Sequence, residues 1–122
     1  MKFEDFTEEM CNEIINAAKN SLMKIGVTAK VSLSFTNNYR TEKATLTTEA
    51  FNTTPVIYKS VNISGNAELI PVEGHVGIYN LNFYLNYWFE TFSNGHNGNG
   101  LGVLQFRIFE DIYKVKFLGF LI

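Results

Sequence analysis

Arg107, Lys114 and Lys116 are the residues of this chain whose type and spacing point most directly to chemistry. A two-residue turn at Glu110-Asp111 fixes the alternation of the flanking strands. One face then pairs Ile108 with Tyr113, Phe106 with Val115 and Leu104 with Phe117. The other pairs Arg107 with Lys114 and Gln105 with Lys116. Like charges directly across a strand pair repel, so water, carboxylates or an anionic ligand must offset them. A guanidinium in mid-strand has rigid support and can grip a phosphate or carboxylate through two hydrogen bonds. The structural alternatives are a salt bridge from Arg107 to Glu42, Glu68 or Glu90, and lysines that are simply solvated.

Aromatic and amide side chains extend this reading. The chain carries 11 Phe, six Tyr and one Trp, more than a core of this size commonly uses. The alternatives are a Phe-rich core, or rings at an interface or in a ligand pocket. Aromatic rings can stack on a nucleobase, and amide side chains such as those of Asn94, Asn97 and Asn99 can read base or ribose edges. These asparagines lie in the stretch Ser93–Gly102, rich in Gly and Asn, which reads as a loop before the hairpin, either a plain surface loop or a lid that orders around a ligand. A phosphate-binding P-loop would join a strand to a helix N-terminus and end in Lys-Ser/Thr. Here that motif is absent.

Signals for bond-breaking chemistry are weak. Carboxylates fall mostly on the first helix and at turns. His75 and His96 lack an Asp, Glu or Cys partner at useful spacing, so no metal or cofactor is expected. Cys11 lies on the apolar face of a helix and reads as a structural thiol. GxSxG, HExxH and CxxC motifs are absent. Ligand binding without catalysis is therefore expected.

The elements that must position these groups form one domain over residues 1–122, with no internal repeat and no dividing linker. The net charge of -2 argues against a general nucleic-acid binder. A single cysteine suits a reducing compartment. Met1–Asp5 lacks the pattern of a secretory leader and no run is apolar enough to span a membrane, so a cytoplasmic location and no membrane partner are expected.

Asp5 reads as a helix N-cap, with Glu8 closing a capping box. Met10, Ile14 and Ala17 follow on one stripe, and Gly26 ends the helix. Val27–Phe35 alternates as a strand, Asn37-Asn38 as a turn, and Tyr39–Thr48 as its extended partner. Asn52–Pro55 reads as a loop and Val56–Ile63 as a third strand. Gly65-Asn66 reads as a turn, Ala67–Ile70 as a short strand, and Pro71 and Gly74 as a break. Over 79–92, Asn82, Asn86 and Glu90 form a polar line at spacing four, which predicts a second helix. The expected class is α+β: an N-terminal helix on an antiparallel β-sheet, a second helix at 79–92 and a C-terminal β-hairpin.

The size, the N-terminal helix before a sheet, and the run from Phe83 and Trp88 through Asn94 to Arg107 resemble the small phage-encoded Thoeris anti-defence proteins, which act as sponges for a cyclic ADP-ribose signal. The resemblance has its specificity in the last third of the chain. It implies a homo-oligomer, dimer or higher, that holds a glycocyclic ADP-ribose made by a bacterial TIR enzyme in pockets near a subunit interface, in the host cytoplasm, without hydrolysis. It implies stacking on adenine by Phe83 or Trp88, polar reading by Asn94 and phosphate contact by Arg107. Basic residues are few, so a second chain is expected to contribute. Two other functions compete: a protein–protein inhibitor of a host defence complex, comparable to an anti-CRISPR factor, and an enzyme on a cone-shaped α+β scaffold.

Overall fold

The computed structural model describes residues 1–25, 27–38, 41–53, 58–91 and 97–121, with side chains described over 1–25, 27–36, 42–49, 64–86 and 100–121. The chain is α+β. A short 3-10 turn, Phe3–Asp5, precedes one helix, α1 (Glu8–Lys24). Among the described residues seven strands follow: β1 (Val27–Asn38), β2 (Thr41–Thr53), β3 (Tyr58–Ala67), β4 (Leu69–Pro71), β5 (Ile78–Thr91), β6 (Asn97–Phe109) and β7 (Lys114–Leu121).

Helix α1 starts two residues later than the sequence suggested. Thr7 is its N-cap, with its hydroxyl accepting from the Met10 amide at 3.1 Å. Asp5 instead closes the preceding turn by accepting from the Lys2 amide at 2.9 Å. Glu8 and Glu9 at the start and Lys24 at the end complement the helix dipole. Gly26, the expected terminator, lies outside the described residues.

Every strand pairing is antiparallel, in the order β1-β2-β3-β5-β6-β7, with β4 beside β5. Asn37 and Asn38 belong to the β1–β2 ladder rather than to a turn, pairing with Glu42 and Thr41. Residues 39–40 lie outside the described residues. Asn52 and Thr53 extend β2, and the rest of the expected loop there lies outside the described residues too. Gly65-Asn66 is likewise no turn. It sits inside β3, where Gly65 faces Leu85. A Cβ on Gly65 would come within 2.5 Å of Leu85 Cδ2 and 2.7 Å of the Tyr84 carbonyl oxygen, so only hydrogen fits. Strand β4 continues β3 along β5: Asn66 faces Tyr84 and Leu69 faces Leu81 in one register. The break at Pro71 and Gly74 is as expected, with Gly74 and Gly77 both at φ +79.

The expected second helix at 79–92 is strand β5. A spacing of four is even, so the polar line through Asn82 and Asn86 suits a strand face as well as a helix face. The deciding pattern is the alternation itself: Leu81, Phe83 and Leu85 are buried, while Asn80, Asn82, Tyr84 and Asn86 point to the opposite face. Their aromatic neighbours also favour a pleated surface.

Helix α1 packs against β1 and β7, the two outermost strands, so the sheet curls around it. Met10, Ile14, Ala18 and Leu22 meet Val31, Leu46, Phe83, Leu104, Phe106 and Ile108 in one core. Each large aliphatic or aromatic side chain buried there contributes roughly 1.5–3 kcal/mol. Phe83 and Phe106 pack edge to face, with centroids 5.9 Å apart. Phe35 stacks on Phe3 at 4.9 Å, seating the N-terminal turn on the end of β1. Among the described residues no helix is long and apolar enough to cross a membrane.

Candidate functional site

The face of the sheet opposite α1 has no covering layer among the described residues, and its composition follows from strand alternation. Core positions on β5 and β6 are odd on one strand and even on the other, which leaves Asn80, Asn82, Tyr84 and Asn86, with Gln105 and Arg107, on the uncovered side. Two cross-strand rows matter. One runs Ile70, Asn80, Arg107, Lys116. The next pairs Asn82 with Gln105, and Gln105 with Gly119.

The hairpin between β6 and β7 keeps its expected faces but not its expected register. The turn is a 3-10 segment, Glu110–Ile112, followed by Tyr113 in the left-handed region at φ 48. The longer connection slides β7 by two residues, an even shift that preserves sidedness. Ile108 therefore faces Val115, Phe106 faces Phe117, and Arg107 faces Lys116 rather than Lys114. Lys114 stands opposite Phe109, and a bulge sets Gln105 against Gly119 rather than Lys116.

Arg107 is half-buried and its Nε donates to Asn80 Oδ1 at 3.3 Å. No described carboxylate lies within ion-pair distance of Arg107, Lys114 or Lys116. The anticipated salt bridges to Glu42 and Glu68 are thus not formed, and the Glu90 side chain lies outside the described residues. Lys114 and Lys116 are exposed on the outermost strand, where lysines also discourage edge-to-edge pairing with another sheet.

Starting at Ile70 of that first row and running away from it along the strands lies a groove of about 720 Å³, bounded by Lys43, Thr45, Ser64, Asn66, Glu68, Ile70, Asn82, Tyr84 and Asn86. That volume is typical of small-molecule sites, which span roughly 300–1,000 Å³. Successive rows on one face are about 7 Å apart, so Asn82 in the groove floor neighbours the row of Arg107 and Lys116. The cations themselves do not line the groove. None of the groove residues was singled out from sequence. The signal available was the alternation of Asn80, Asn82, Tyr84 and Asn86, which the helical reading of 79–92 obscured.

The remaining candidates separate. Phe83 is 0% exposed and cannot stack on a ligand without opening the core, so its proposed role is withdrawn. Trp88 and Asn99 face each other in the β5–β6 ladder and Asn97 faces Glu90, but their side chains lie outside the described residues, as does Asn94 entirely. The Gly/Asn stretch is less of a loop than expected: Asn97–Gly102 belongs to β6, and Gly98, Gly100 and Gly102 face Phe89, Tyr87 and Leu85. A lid built on those six residues is excluded by their ladder pairing.

Titratable groups converge elsewhere. The Tyr79 hydroxyl donates to Glu110 Oε2 at 3.3 Å and accepts from the Met1 ammonium at 3.0 Å, which also pairs with Glu110 Oε1 at 3.3 Å. Burial, followed by the Glu110 charge, raises the Tyr79 pKa. This cluster ties the N-terminal turn to the β6–β7 connection. Cys11 is half-buried, and burial with the nearby Glu8 raises its pKa, which disfavours the reactive thiolate. Among the described residues no group of three His, Cys, Asp or Glu is placed to hold a metal.

Comparison with protein-family models, with curated proteins and with solved structures gives no match to this chain.

Proposed function

We propose that this is a small binding protein that sequesters a nucleotide-derived signal of the cyclic ADP-ribose class, without cleaving it, and thereby blocks TIR-based anti-phage defence in a bacterial host cytoplasm. The observation that carries the reading is Arg107 facing Lys116 with no described carboxylate to neutralise either. A doubly cationic row beside a ligand-sized groove is suited to a phosphate-bearing small molecule. Net charge is low and cations per chain are few, so a second copy supplies part of the anion's neutralisation, and the working unit is a homo-oligomer.

The test is mass spectrometry of small molecules released by heating protein purified from cells that make TIR signals. Recovery of an intact adenine-containing pyrophosphate supports the proposal. Recovery of its hydrolysis products, or of nothing, contradicts it.

A second reading rests on a different observation. Val76, Ile112 and Tyr113 are 104%, 61% and 56% exposed on adjacent turns, joined by the Glu110 amide donating to the Gly77 carbonyl at 2.8 Å. Bare apolar side chains on neighbouring turns suit a protein–protein inhibitor. Stoichiometric co-purification with a large host protein would favour this reading over sequestration.

A further inference from the structure

We propose that the groove takes an uncharged ring bearing adjacent hydroxyls. Its floor is made of Thr45, Ser64, Asn66, Asn82, Tyr84 and Asn86. Carboxamides and hydroxyls both donate and accept, as the hydroxyls of a sugar do, whereas a phosphate only accepts. The charged groups at its rim are Lys43 and Glu68, of opposite sign, so the rim carries no net attraction for an anion. This separates the groove from the Arg107–Lys116 row.

The local geometry fits the same ligand. Thr45 Oγ1 lies 2.9 Å from Asn66 Oδ1 and donates to it. That bond occupies the hydroxyl hydrogen and turns the Asn66 amide so that its NH2 donors remain free. Tyr84 is 64% exposed and has no ring partner among the described residues. Its face can carry the apolar C–H side of a sugar ring, while Ile70, 52% exposed, forms an apolar wall. Most of the side chains around the groove carry a hydroxyl, an amide or a charge, whereas most small-molecule pockets are lined chiefly by apolar side chains. A hydroxyl-rich ligand matches that departure.

A free saccharide and the ribose of a nucleotide share this chemistry. In the second case the inference rests on the function proposed above, because a ribose over Asn82 stands about 7 Å, one pleat row, from the cationic row.

The test is an NMR titration of the full chain, following the side-chain amides of Asn66, Asn82 and Asn86 and the Nε–H of Arg107. The probes are adenosine, maltose and inorganic pyrophosphate, each at low and at high salt. Adenosine or maltose is expected to move the asparagine amides equally at both salt concentrations, since an uncharged ligand is not screened. Tyr84→Ala, an exposed site whose loss leaves the core intact, is expected to weaken that binding about tenfold, the loss of one aromatic contact. A response to adenosine alone assigns the ring to a nucleotide's ribose, and a response to maltose assigns it to a saccharide. Unmoved amides with both neutral probes overturn the inference. If pyrophosphate still moves the Arg107 resonance in that experiment, the anion-binding proposal survives its failure.

Discussion

Arg107 and Lys116 stand directly opposite each other on β6 and β7, and the only described partner of the guanidinium is Asn80, 3.3 Å from its Nε. Opposite charges across a strand pair contribute roughly 0.2–1 kcal/mol, whereas like charges directly opposite are destabilising. Lys116→Glu would convert the repulsion into an ion pair. Stability is expected to rise by about that amount in urea denaturation, while affinity for phosphate-bearing ligands falls. A variant that gains stability and keeps affinity would show that Lys116 takes no part in ligand binding.

Phe83 tests whether the aromatic richness belongs to the core. Its ring is 0% exposed against Phe106. Phe83→Ala is expected to cost about 3–5 kcal/mol, the range for an emptied aromatic core site. Chemical denaturation measures this directly, and a loss near zero would mean that the ring is not buried as described.

Gly65 marks the closest approach in the central sheet. Gly65→Ala places a methyl 2.5 Å from Leu85 Cδ2 and 2.7 Å from backbone oxygen at Tyr84. The backbone contact cannot relax by a rotamer change, so a loss of roughly 1–3 kcal/mol is expected. Because β3 also floors the groove, ligand affinity should fall with it.

Tyr79 gives the alkaline limb of stability. Burial and the Glu110 charge raise its folded pKa above the unfolded value, which is about 10. The folded state therefore holds the phenolic proton more tightly. The resulting stability is complete below the unfolded pKa and is lost as pH rises through the folded one. Tyr79→Phe is expected to be less stable than the parent near neutrality, through its lost hydrogen bonds, and to lose less on further alkalinisation. Thermal unfolding across that range distinguishes the two slopes.

The sequence made the helix, the sheet class and the sidedness of the last hairpin legible because each rests on local periodicity. Leu104, Phe106 and Ile108 alternate with Gln105 and Arg107 whatever the turn length, so the faces survived a two-residue error in register. The register itself was not legible, because Tyr113 adopts a left-handed conformation that Gly or Asn would have advertised. Strand β5 was misread because its polar spacing of four satisfies both periods. The groove was not legible for a further reason: it depends on residues of β2, β3, β4 and β5 that meet only through the long-range pairing of those strands.

In the function proposed above, the helix-free face binds a phosphate-bearing adenine signal through Arg107. Thermal shift of the parent and of Arg107→Ala against a panel of cyclic nucleotides tests it most directly. A ligand-dependent rise in melting temperature is expected for the parent by mass action. The Arg107→Ala variant is expected to melt cooperatively without ligand but to lose about 1.5–3 kcal/mol of binding, the range for a charge-assisted hydrogen bond. A flat response of the parent across adenine- and guanine-containing signals, or an equal shift in both proteins, would contradict it.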